Sequence, residues 1–144
     1  MQYKKFPERK FTHLAAMPFI YIMIVPLFIL DLFLEAYHQT CFRLYGIPMI
    51  ERSNYIKIDR HKLSYLDIAD KINCAYCGYA NGLARYAVQI AAKTEEYWCG
   101  IKHKKEYGFI EPIHHENFLE YGDEQAYRKV SEPDLADYDL KQAK

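Results

Sequence analysis

The chain lacks net charge. Its 19 lysines and arginines balance 19 aspartates and glutamates, so no global field favours nucleic acid. It contains no glycine-rich phosphate loop, no G-x-S-x-G elbow and no H-E-x-x-H pair. Those absences remove the readiest signatures of nucleotide binding, serine hydrolysis and zinc proteolysis. No internal repeat suggests a solenoid. No small-x-small site turns the apolar N-terminal run into a cleaved signal peptide. The balance leans away from an enzyme.

What the chain has instead is a long apolar run. Residues 14–30 carry no charge across 17 positions, and the run continues past Asp31 through Leu34. Twenty-one residues make about 31 Å of helix, close to the thickness of a hydrocarbon core. A core helix of a soluble protein is a poor alternative, because a chain of 144 residues has little core to hide it in. Lys4, Lys5, Arg9 and Lys10 precede the run. The positive-inside rule then leaves the N-terminus cytoplasmic and makes the protein single-pass. Pro18 and Pro26 each remove a backbone donor and favour a kink. A kinked segment that dips in and returns, monotopic on the cytoplasmic face, is the alternative.

Downstream the patterning is helical. Helix is expected to continue through Glu35, His38 and Cys41 and to stop before Gly46 and Pro48. Residues 55–59 alternate briefly, as a short strand or an extended link. Three helices are expected after that. One is capped by Ser64 and Asp67 and runs to Asn73, one is capped by Asn81 and runs to Lys93, and one begins after Thr94 and ends by Gly108. Residues 74–78 form the turn between the first two. From His115 onward eight acids face four bases, a local charge of −4. This tail is expected to be loosely structured. Fourteen tyrosines suit half-wet surfaces such as membrane interfaces and protein contacts.

Chemistry gathers at cysteine and histidine. Cys74 and Cys77 are two residues apart, a spacing that lets both sulfurs address one ion. Cys99 and His103 lie four apart and would share a helix face. Together they form a candidate site of three thiolates and one imidazole, with Cys41 or His38 as the alternative fourth ligand. Zinc suits that set first, and iron or an iron–sulfur cluster second. Two other uses compete: Cys74 and Cys77 as a cycling thiol–disulfide pair, and buried cysteines that only fill space. Glu35 and His38 repeat the Glu-x-x-His spacing of di-iron bundles, but no second copy exists. His114 and His115 could bind metal, but adjacent histidines on a loop are usually just solvated. Arg52, Lys57, Arg60, His61 and Lys62 form a basic patch suited to anionic lipid.

The sequence thus describes a mainly α protein. A basic flank (1–13) precedes a membrane helix (14–36), a helical Cys/His domain (37–113) and an acidic tail (114–144). The expected protein is membrane-anchored and binds one metal ion. It serves as an accessory or electron-transfer component beside a larger membrane partner, with lipid as its other contact and no nucleic acid. A membrane-tethered CxxC thiol–disulfide oxidoreductase and a purely structural membrane subunit are the alternatives.

Overall fold

Proline decides where the first helix bends. Pro26 has no N–H and its ring presses on the carbonyl four residues back, that of Ile22. In the computed structural model, which describes residues 6–131, the helix accordingly divides into α1 (Lys10–Ile22) and α2 (Ile24–Tyr37). Met23 forms the joint, its N–H turning to the Ile20 carbonyl at 3.3 Å. Pro18 stays inside α1. A five-residue π turn, His38–Phe42, follows and rotates both His38 and Phe42 inward. A last helical turn, α3 (Arg43–Tyr45), stops at Gly46, whose φ of 69° is left-handed.

The continuous helical rod Lys10–Tyr45 is long and apolar enough to cross a membrane, and only 6% of its most apolar stretch is buried. Among the described residues α1 has no buried side chain and α2 has Asp31 alone. Phe11, Phe19 and Phe33 stand more than two-thirds exposed, at 83%, 77% and 72%. Most of the rod's apolar stretch is therefore left uncovered by the other described residues.

The link after Gly46 has no regular structure over residues 56–59, between short 3₁₀ turns at Arg52–Asn54 and Arg60–Lys62. It leads to α4 (Ile68–Trp98), a single unbroken helix. Asp67 caps it, its carboxylate accepting the Asp70 N–H at 2.7 Å. The first two expected helices and the start of the third are thus one, and the expected turn at residues 74–78 is helical; the third ends at Trp98 rather than by Gly108, so Cys99 and His103 do not share a helix face. Gly78, which read as the end of a turn, and Gly82 serve packing. A β-carbon on Gly78 would lie 2.7 Å from the Lys57 carbonyl oxygen, and one on Gly82 2.7 Å from that of Tyr55. Both glycines let the link press against the helix backbone. Asn81 caps nothing; its amide donates to the Cys77 carbonyl one turn back, at 3.0 Å.

The chain divides into two compact units, Met1–Ala91 and Ala92–Lys144. The first has an ordinary core of Phe42, Ile47, Leu83, Tyr86 and Ile90, ringed by Leu27, Leu34, Tyr37, Ile50 and Tyr79. The second has no comparable apolar interior. Among its described residues the buried ones are Ala92 and His115. Gly100, at φ 56°, reverses the chain at the end of α4. A loop then leaves and returns, closed where Ile101 pairs with Leu119. Leu119 N–H bonds to the Gly100 carbonyl and Lys102 N–H to that of Leu119, both at 2.8 Å. The expected loose tail is ordered as far as it is described, with a 3₁₀ turn at Ile113–Asn117 and α5 (Glu124–Ser131). The remainder of the tail lies outside the described residues.

Candidate functional site

Two clusters of ionisable groups stand out, one in each unit. The first surrounds Asp31. Arg52 grips its carboxylate with both guanidinium nitrogens, at 2.5 and 2.7 Å, and Tyr79 donates to it at 2.8 Å. The carboxylate in turn holds the Arg52 pKa above its ordinary value. Burial, and then the bond to Asp31, push the Tyr79 hydroxyl up to about 12. One turn on, Glu35 accepts from Gln39 at 2.6 Å and from Tyr86 at 3.0 Å. Burial first and Glu35 second raise the Tyr86 pKa well above the usual range. His38 completes the chain. The Ile50 N–H donates to its Nε2 at 3.1 Å. Nδ1 is therefore the protonated nitrogen, and it faces the Tyr86 oxygen at 2.9 Å.

This network answers several sequence expectations. Both ring nitrogens of His38 are taken, so it has none to offer as a fourth metal ligand. The Glu35-x-x-His38 spacing is bridged by Tyr86 rather than by metal. Cys41 is a half-buried free thiol in the π turn. Cys74 and Cys77 are also free thiols, three residues apart on α4. They line a cavity of about 460 Å³ with Met17, Ile20, Tyr21 and Arg60. The four-ligand site needed a turn at residues 74–78 to fold this pair back on Cys99 and His103, and the helix supplies no such turn. Cys74 and Cys77 belong to the first unit, and Cys99 and His103 to the second.

The second cluster keeps one of those four residues. Glu95, in the last turn of α4, His103, on the closed loop, and His115, in its 3₁₀ turn, present ligand atoms within 4.8 Å of one another. The clamp between Ile101 and Leu119 brings the two ends of the loop together. Phe118 stacks on the His115 ring at 4.6 Å and 21°, and Phe109 meets His103 edge-on at 5.4 Å. The two imidazoles lie 5.6 Å apart, centre to centre.

His115 is the unusual member. Its side chain is fully buried, and neither ring nitrogen has a hydrogen-bond partner among the described residues. Nε2 approaches Glu95 Oε1 at 3.2 Å without the alignment a hydrogen bond requires. A buried imidazole left unpaired costs about 1–3 kcal/mol. Such a group asks for a ligand. Glu95 is already oriented for one, because His114 donates to its other oxygen at 2.8 Å. That bond, and the neighbouring His115, hold the Glu95 carboxyl below its ordinary value. Carboxylates that bind metal are commonly steadied by an outer partner of this kind. Cys99, one turn beyond Glu95, is an exposed free thiol outside the group.

Two imidazoles and a carboxylate form a mixed N,O donor set with room for further ligands. It suits zinc or iron and differs from the thiolate-rich set expected from the cysteines. Sequence reasoning named His103, set His115 aside with His114 as a solvated pair, and gave Glu95 no ligand role. The one available hint was a histidine pair in a segment with little to bury. No protein-family model, no curated protein and no solved structure matches the chain.

Proposed function

We propose that the protein is a membrane-attached metal-binding protein whose ion is held by Glu95, His103 and His115. The observation that carries this reading is the buried His115 ring, with both nitrogens unpaired beside a carboxylate and a second imidazole. The composition of the second unit supports it. A small unit without an apolar core commonly depends on a staple, and a metal ion is one of the few available. His114 steadies Glu95 from outside the ligand set.

Three protein ligands leave at least one position to water or another small ligand, so the centre is open rather than closed. Zinc is the first choice. Iron is the second, and would make the protein an electron-transfer component, since zinc has no redox chemistry. With either ion the protein acts as an accessory subunit beside a larger membrane partner, its rod Lys10–Tyr45 providing the attachment.

Elemental analysis of the full chain, purified in detergent and loaded with zinc or ferrous iron, tests the centre. Stoichiometric metal is expected in the wild type and in Cys77→Ser. His103→Ala and His115→Ala should lose it. His103 is exposed, so its replacement removes a ligand without disturbing the interior. Metal retained by both histidine variants and released by Cys77→Ser would return the centre to the cysteines. A wild type that binds neither ion would end the reading.

A further inference from the structure

The apolar rod is not apolar all round. His13, Tyr21, Asp31, Glu35 and His38 fall on one face, spaced near the helical repeat, and that face meets the rest of the first unit. Tyr21 donates to Asn73, Tyr76 donates to the Ile20 carbonyl at 2.8 Å, and Arg52 and Tyr79 bind Asp31. The opposite face carries Phe11, Phe19, Ile22, Val25, Ile29 and Phe33, each about half exposed or more.

The polar face also fixes what lies beside the middle of the rod. Arg60 lines a cavity with Ala16, Met17, Ile20 and Tyr21. Lys57, whose carbonyl abuts Gly78, belongs to the same link, as do Asp59, His61 and Lys62, and all of these side chains are exposed. A bilayer set across the rod would take that link into hydrocarbon with it. Lipid-exposed charges do not persist there. Laid in the plane, the same rod sinks its apolar face while every one of these charges stays at headgroup level.

We propose that the helix Lys10–Tyr45 lies flat in one leaflet of an anionic bilayer, apolar face down, and does not cross it. The basic groups Lys57, Arg60, His61 and Lys62, beside the rod, meet anionic headgroups. This placement rests on the membrane attachment proposed above and replaces the single-pass expectation with a shallow, monotopic one.

The test uses the full chain on aligned bilayers of phosphatidylcholine with phosphatidylglycerol, read by polarised infrared absorption of the amide I band. Contacts between the rod and α4 ascend together, from Tyr21 with Asn73 to Glu35 with Tyr86, so the two run side by side and their dichroism adds. Absorption polarised in the membrane plane is expected. Absorption polarised along the normal would overturn the flat placement while leaving attachment intact. A chain that fails to sediment with vesicles would overturn attachment itself. The double variant Phe19→Glu/Phe33→Glu should bind vesicles at least about tenfold more weakly with unchanged helical content. Wild-type binding by that variant would refute the buried face. Equal binding to vesicles of phosphatidylcholine alone would refute the headgroup contact.

Discussion

His38 and His115 are buried to the same degree, at 1% and 0% exposure, yet they are bonded in opposite ways. Around His38 every polar atom is answered: Ile50 N–H on one side of the ring, the Tyr86 hydroxyl on the other, and Glu35 beyond it. Around His115 nothing aligns with either nitrogen among the described residues. The first histidine is part of the packing that joins helix, link and α4. The second sits where a small unit would otherwise need a hydrophobic core. A buried imidazole is thus not informative by itself. What its two nitrogens face decides whether it is structure or site.

Replacing each histidine by leucine sharpens that contrast most. His38→Leu strands the Ile50 N–H and removes a partner from Tyr86 in a dry environment. It should destabilise the first unit by about 2–6 kcal/mol, the sum of two such losses. Denaturant unfolding in detergent, followed by circular dichroism, measures it. A loss below about 1 kcal/mol would mean that the network around His38 is dispensable.

The next effect is metal-dependent. At a hundredfold excess over Kd, zinc or iron should stabilise the wild-type second unit by about 2.7 kcal/mol. His115→Leu should abolish that gain, and His38→Leu should leave it intact, as read by thermal unfolding with and without metal. Loss of the metal response in His38→Leu would merge the two clusters that the comparison separates.

A smaller effect carries the opposite sign. Without metal, His115→Leu exchanges an unpaired imidazole for an apolar side chain against Phe118. It should stabilise the metal-free protein by about 1 kcal/mol, where most buried substitutions destabilise. A destabilised metal-free variant would show that the His115 nitrogens find partners in solution.

The same physical distinction explains what the sequence disclosed. The rod was legible because it depends on local signals: an uncharged run, two prolines, and a stop at Gly46 and Pro48. α4 was divided among three helices because Gly78, Asn81 and Thr94 resemble punctuation. Gly78, like Gly82 one turn on, is glycine for a tertiary reason, the close passage of the link. The Cys74/Cys77 site was drawn on an assumed turn for a related reason, and the pair sits on a continuous helix instead. Glu95 was given no ligand role and His115 was set aside as solvated, because their proximity depends on the loop closure at Ile101 and Leu119. One short bridge between residues eighteen apart leaves no periodic trace.

At neutral pH the smallest change expected comes at the rim of the closed network. Tyr79 donates to Asp31 from a half-buried position, and Tyr79→Phe should cost about 0.5–1.5 kcal/mol. Its pH dependence is more telling. The Tyr79 pKa rises from 10.0 to about 12 on folding, through burial and the Asp31 bond. A raised pKa means that the folded state favours the protonated hydroxyl. Its stabilisation is complete below pH 10 and is lost as the pH climbs from there through about 12. Wild type should therefore weaken across that alkaline window, and Tyr79→Phe, having no proton to lose, should weaken less. Unfolding curves at the two ends of the window decide the matter: equal alkaline losses in both proteins would show that the Asp31 cluster does not hold this hydroxyl, and that its closure is looser than that around His38.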